Sequence, residues 1–396
     1  MKFDNAFIPC GFAWSSPFVR WQGALADVSS MDLGVTVTND ALAQRDFDPQ
    51  RLTQLVMGTT VPQTDSFYAV PWTAARISAP GITGPHISQA CATAVACVAS
   101  AAATVDNDPD ETVLALTTDR TSNGPLMVYP KSRSMGGSPD TEHWVLDNFA
   151  ADPATGKAMV ATAENVAAEA GFTREALDDV SLLRYRQYEQ SLTDDRAFQR
   201  RYMQPVRLPD RKGRVTEISA DEGISPTTAE GLAGLKPMAG GVITLGMQTH
   251  PADGTAGTLI CGQATARELS NGNGIVRLIA TGFGRAEAAH MPKAPVLAAE
   301  RALASAGLSY QDIKLVNTHN PFAVNDLWLE KQTGFPLDRT NSYGSSLIYG
   351  HPQGPTGLRS IAELIEALRL EGGGLGLFTG CAAGDTAAAL VIEVRD

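Results

Sequence analysis

The 396-residue sequence is poor in the residues that make metal and disulfide frameworks. It has six histidines and five cysteines. No two cysteines stand at metal-site spacing and no His-x-x-x-His occurs, so the sequence predicts no metal site. The cysteines are scattered and odd in number, which predicts thiols instead of a disulfide framework. Positive charge is also short. With a net charge of −12 the chain is not expected to bind nucleic acid. No apolar run reaches the length of a membrane span, and the one at residues 92–103 is mostly alanine and other small residues. It reads as a buried helix. Met1-Lys2-Phe3-Asp4-Asn5 lacks a charged-then-apolar leader, and Val394-Arg395-Asp396 is not a peroxisomal address. The expectation is a cytoplasmic protein with no membrane or nucleic-acid partner.

The sequence does hold ample core material, with 43% hydrophobic and 19% charged residues. Its length suggests two or three domains. Residues 51–60 form a strand-like run ending at Gly58-Thr59-Thr60, and residues 67–77 have helical spacing. Residues 91–105 predict a long small-residue helix and 112–116 a buried strand, so the pattern is α/β. From Thr118 the character changes to Gly, Ser and Pro with isolated aromatics. A helix capped by Thr162 is predicted over 162–170, two more helical patterns over 173–198, and a polar loop over 205–236. A second α/β unit follows, with strands predicted at 258–261, 275–282, 313–316, 376–379 and 387–394. Its helices are expected over 294–306 and 358–370. The predicted division is 1–118 for the first α/β half, 119–249 for an insertion, 250–270 for the return, and 271–396 for the second half.

Charge is uneven along the chain. Between Arg184 and Arg214 nine basic residues outnumber four acids, which leaves that segment at +5 and the remainder at −17. Two readings are open: a solvated helix face with a loop, or a docking patch for a phosphorylated ligand.

Four residues stand in unusual frames. Cys91, in Gln89-Ala90-Cys91-Ala92-Thr93-Ala94, is expected at a helix N-terminus, where backbone N–H groups favour thiolate and can hold an oxyanion. Alone it reads equally as a small buried hydrophobe. His351 lies in Gly350-His351-Pro352-Gln353-Gly354-Pro355-Thr356-Gly357, a stiff frame that aims an imidazole as a base for a thiol. Cys381 follows an apolar strand at a second glycine-containing turn, where it is either structural or a carrier of a carbon-bound proton. His319, in a His319-Asn320-Pro321-Phe322 corner, either caps a turn or polarises a carbonyl.

These four segments, in this order, resemble the thiolase family over nearly the whole chain. Met159-Val160-Ala161-Thr162-Ala163-Glu164-Asn165-Val166-Ala167 is similar to the family's loop-domain helix. Gly241-Val242-Ile243-Thr244-Leu245-Gly246 with Asp253-Gly254 resembles its return to the core, and Asn341-Ser342-Tyr343-Gly344 also fits. The resemblance implies an α/β thiolase fold: two similar βαβαβ halves, layered αβαβα, with an inserted loop domain. It implies Cys91 as acylated nucleophile, His351 as its base, Cys381 as the acid/base at carbon, and His319 as a donor to an enolate oxygen. A second oxyanion hole would use the Cys91 N–H and one from the Cys381 turn, at Ala383. Met159, Thr249, Met291 and Phe322 would face substrate. Coenzyme A and acyl-CoA would be substrates, with no tightly bound cofactor and no metal. The +5 segment would face the 3′-phospho-ADP end of coenzyme A. A homodimer or homotetramer is expected, and a small partner subunit is a further expectation.

The chain departs from the family pattern in several places. The corner contains His319, similar to sterol-carrier-protein-type thiolases. The usual Cys-x-Gly-x-Gly reads Cys381-x-Ala383-x-Asp385, Thr249 replaces a serine, and Ala158 replaces a histidine. Two rival readings remain. A decarboxylating ketoacyl synthase needs Cys91, His319 and His351 but not Cys381. A non-catalytic acyl-CoA-binding subunit needs none of the four.

Overall fold

The computed structural model describes residues 1–133, 135–209, 215–238 and 240–395. Among them one large sheet runs in the order Leu315–His319, Gly374–Ala382, Thr386–Arg395, Ile275–Arg285, Phe7–Pro9, Ala252–Cys261, Thr112–Arg120, Gln54–Gly58 and His86–Ile87. Ala13–Ser15 and Val19–Arg20 pair to Ala252–Cys261 off this path. The two ends repeat one design. Gln54–Gly58 is parallel to Thr112–Arg120, which is antiparallel to Ala252–Cys261. Likewise Leu315–His319 is parallel to Gly374–Ala382, which is antiparallel to Thr386–Arg395. Each parallel crossover carries two helices of eight residues or more: Ala69–Arg76 and Thr93–Asn107 in one half, Ala323–Thr333 and Gly354–Leu370 in the other.

Strand alternation then builds five layers. Val56, Val113, Ala115 and Ile260 point inward from one half, and Leu315, Phe378, Leu390 and Ile392 from the other, onto the central helices Thr93–Asn107 and Gly354–Leu370. Their neighbours Leu55, Met57, Leu114 and Leu116 point outward beneath Ser30–Gln44 and Ala69–Arg76. Val316, Leu377 and Val391 do the same beneath Ala294–Ala306 and Ala323–Thr333. A period of two on two-sided sheets gives this αβαβα stack. The small residues of the central helices let them touch: a Cβ at Gly357 would stand 2.8 Å from that of Ala94. The apolar stretch 90–107 is therefore a core helix, as its composition implies.

Several element limits differ from expectation. The return strand is the full Ala252–Cys261, where buried Asp253 accepts at Oδ1 from Ser122 N–H and the Thr255 hydroxyl donates to the Thr117 carbonyl. The helix expected to begin at Thr162 begins at Met159, and the Thr162 hydroxyl donates to the Met159 carbonyl. The segment read as a polar loop contains a hairpin, Val206–Pro209 with Val215–Ile218, and the helix Ala229–Ala233.

Most of the basic segment is consumed by structure. Arg184 is fully buried against Asp326 at 2.8 Å. Arg196 donates to the Ser219 carbonyl, Arg200 pairs with Asp195, Arg201 with Glu366 and Arg207 with Glu217. Arg184 is structural, which corrects the phosphate-patch reading for it, whereas Arg200 and Arg207 stay about half exposed in surface ion pairs. Arg211, Lys212 and Arg214 lie outside the described residues. Arg359 on the central helix grips Asp221 with two bonds, 2.6 and 2.8 Å, and so ties the inserted segment to the core.

Candidate active site

Cys91 sits two residues before the helix Thr93–Asn107, on a turn fastened by Thr93, whose hydroxyl accepts from the Gln89 N–H and donates to the Ala90 carbonyl. Ala90 takes φ +45°, a conformation that costs an alanine about 1–2 kcal/mol. Two opposing influences act on the Cys91 thiol. Burial pushes the Cys91 thiol up to about 12, although the N–H groups of Ala383 and of Cys91 itself reach its sulfur. Desolvation outweighs the helix terminus here, so the resting group is a thiol.

His351 precedes the second central helix, Gly354–Leu370. Its Nε2 lies 3.0 Å from Cys91 Sγ, and its Nδ1 lies 2.6 Å from the Thr356 hydroxyl. The backbone is clamped on both sides. His351 N–H donates to the His250 carbonyl at 2.9 Å, and Gly354 N–H donates to buried Asp119 at 2.9 Å. Gly350, at φ +92°, is required where it stands, since a Cβ there would meet the His250 ring at 2.7 Å. Burial, and then the neighbouring His319, hold the His351 ring well below the ordinary histidine range. A neutral imidazole facing a neutral thiol is ready to accept its proton.

His319 ends the strand Leu315–His319 and stacks on His351, with ring centroids 4.0 Å apart. Its Nδ1 meets Ser346 Oγ at 2.8 Å, while its buried Nε2 has no partner and the residue lines the cavity. Burial lowers this ring to about 3, so it too is neutral. Cys381 is buried near the end of Gly374–Ala382. Burial, then Cys91 nearby, raises its thiol, while Asn325 Nδ2 donates to its sulfur at 3.3 Å and opposes that rise.

All nine residues singled out in the sequence converge. Cys91, His319, His351, Cys381, Met159, Thr249, Met291, Phe322 and Ala383 line one cavity of about 270 Å³ whose walls are otherwise mainly apolar. A larger cleft of about 430 Å³ shares Gln248 and Thr249 with it. A shallower one continues past Gly223, Ile224 and His250 to Arg20 and Trp21.

Residues 13–264 match the family model for the thiolase N-terminal domain, and residues 273–394 match that for the thiolase C-terminal domain. The chain belongs to the thiolase family. It is 30% identical to the acetyl-CoA acetyltransferase of Escherichia coli (strain K12), over 94% of this chain and 95% of that one. Its fold is similar to that of the Bacillus anthracis acetyl-CoA acetyltransferase, with TM-score 0.90, 25% identity and full coverage of both chains. Human mitochondrial 3-ketoacyl-CoA thiolase in complex with CoA has TM-score 0.88 and 24% identity, covering 99% of this chain and 98% of that one.

Within this thiolase, sequence reasoning missed residues that act through the named four. Asn325 carried a visible signal, the helix-capping position three residues after Phe322. Ser346 and the Phe149 and Met238 walls carried none. Asn320, quoted in the corner motif, turns its amide to Asp326 at 2.7 Å and serves the corner's structure. Asp385, which stands where the family pattern has a glycine, does not line the cavity. Its carboxylate accepts from the N–H groups of Ala289 and His290.

Proposed function

We propose that this thiolase cleaves a 3-oxoacyl-CoA with coenzyme A, and runs the reverse Claisen condensation, through an acyl group on Cys91. The observation that carries this reading is the 3.0 Å contact of His351 Nε2 with Cys91 Sγ in a cavity that also holds Cys381. In cleavage, the Cys91 sulfur attacks the 3-oxo carbon and its proton passes to His351 Nε2, with Nδ1–H donating to Thr356. The oxyanion forms beside the N–H groups of Cys91 and Ala383. Collapse breaks the carbon–carbon bond and expels the acetyl-CoA enolate. That carbon takes the proton of the Cys381 thiol, while His319 Nε2–H donates to the enolate oxygen. This tautomer follows when the Ser346 hydroxyl donates to Nδ1. The proton on His351 then returns to Cys381. In the second half, coenzyme A gives its proton to His351, attacks the acyl carbon and releases Cys91, which recovers that proton.

The clefts support a path for coenzyme A: the pantetheine arm passes Thr249 and Gln248, and the nucleotide lies toward Arg20 and Trp21. Self-association is part of the reading. It is supported by exposed Phe67, Tyr68, Leu126 and Val128 and by the sheet edge at His86–Ile87. The direct assay is coenzyme A-dependent consumption of acetoacetyl-CoA. No thiolysis together with turnover of a malonyl thioester would support the synthase reading instead.

A further inference from the structure

Asp385 is the residue of the Cys381 motif that the chemistry leaves unused. It is buried, and it takes φ +58° at the turn between Gly374–Ala382 and Thr386–Arg395. Its Oδ2 accepts from Ala289 N–H at 2.8 Å, its Oδ1 from His290 N–H at 3.0 Å, and its carbonyl from Ala286 N–H at 2.8 Å. Asn165 Nδ2 donates to the Ala289 carbonyl at 2.9 Å from the other side. Ala289 is held at φ +60°, a left-handed conformation that an alanine rarely adopts without such bonds to impose it.

The residue that leaves this turn is Met291, which lines the catalytic cavity together with Met159. The same two methionines also line a narrow cleft with Asp152, Thr155, Thr162 and Asp385. They form the partition between the two, and the cleft behind it is too tight for water while the Asp385 side chain lines it. Methionine side chains are flexible and adapt to what they face, so the backbone on which Met291 stands decides where the wall lies.

On the thiolase reading above, we propose that Asp385 is a positioning residue for acyl-group selection. By holding the 286–290 turn it fixes Met291 as the cavity wall and disfavours acyl groups larger than acetyl. Released, the turn shifts and lets Met291 draw back from the cavity. One methylene in an apolar pocket is worth about 10–200-fold in discrimination, so a partial release predicts roughly a tenfold change.

The test is kcat/KM for thiolysis of acetoacetyl-CoA and of 3-oxohexanoyl-CoA. It uses the wild type, Asp385→Gly, Asp385→Asn, Asn165→Ala and Met291→Ala. Glycine and asparagine both tolerate positive φ, so these two variants remove acceptors without straining the turn. The ratio of the longer to the shorter substrate should rise roughly tenfold in Asp385→Gly and less in Asp385→Asn. It should move the same way in Asn165→Ala and Met291→Ala. A general loosening of the fold would lower both constants together and leave the ratio alone. A ratio within about twofold of wild type in Asp385→Gly and Asn165→Ala overturns the proposal. If the Asp385 variants do not fold, Asn165→Ala, which frees the turn from its other side, decides alone. Wild-type protein that turns over neither substrate would overturn the thiolase reading itself, an outcome distinct from an unchanged ratio in an active enzyme.

Discussion

His351 Nε2 stands 3.0 Å from Cys91 Sγ, and both groups are uncharged at rest. Burial raises the thiol and depresses the imidazole, so the proton stays on sulfur until a substrate carbonyl arrives. Reactivity is stored as geometry, in a turn that aims the sulfur and a clamp that aims the ring.

This arrangement predicts how Cys91 responds to alkylation. With the thiol pushed up to about 12, the rate of labelling by iodoacetamide should climb steadily from pH 7 to pH 10 without a plateau. A plateau with its midpoint below pH 8 would mean a standing thiolate and would contradict the geometry-based account. His351→Asn should slow acylation about 100–10,000-fold, the usual weight of a general base.

Cys381 and Asn325 predict a separation of the two half-reactions. Cys381→Ala should still take an acyl group on Cys91 but lose exchange of the acetyl-CoA methyl protons with deuterated solvent. Asn325→Ala, which removes the 3.3 Å amide contact to the Cys381 sulfur, should slow that exchange while leaving acylation near wild type. Loss of acylation in both variants would place Cys381 elsewhere in the mechanism.

His319 makes a prediction about stability. Its folded value lies near 3, below the ordinary 6.5 of an unfolded histidine. Between those limits the unfolded chain binds a proton that the native site refuses, so native stability falls as pH drops below about 6.5. His319→Asn removes this one term. Relative to wild type, the variant should gain about 1.4 kcal/mol for each unit of pH below 6, read from urea unfolding at pH 6.5, 5.5 and 4.5. Parallel pH dependences would show that the ring is charged in the native state.

Asp221 makes a second. It neutralises fully buried Arg359 through two bonds and joins the inserted segment to the helix that follows His351. Asp221→Ala leaves two guanidinium nitrogens without their carboxylate, with only Glu363 still bonded at Nε, and should cost about 3 kcal/mol. A loss under 1 kcal/mol in urea unfolding would mean that water or another group replaces the carboxylate.

What the sequence revealed and what it hid follow from the range of each interaction. The helix Ala294–Ala306 was legible because its stop, Gly307 at φ +71°, is a local signal. His351, His319 and Cys381 were legible because glycines or prolines frame them locally, whereas Cys91 became legible only through the resemblance of the four segments taken together. Asn325 was not, because its partner Cys381 is 56 residues away and its own motif reads as an ordinary helix cap. The basic segment misled for the same reason: the carboxylate that neutralises Arg184 is 142 residues distant. The early part of Ala252–Cys261 was hidden by Asp253 and Thr255, whose hydrogen-bond partners lie on strands and loops brought in by the fold. Asp385 could be read only as a departure from the family pattern, because its role as acceptor depends on a turn 95 residues upstream.

The central claim is a covalent acyl group on Cys91, and its most direct measurement is mass spectrometry of the protein quenched during turnover of acetoacetyl-CoA. The account predicts one acetyl group, mapped to the peptide containing Cys91, that disappears on addition of coenzyme A and is absent from Cys91→Ala. Turnover with no label, or with the label on Cys381, would contradict it.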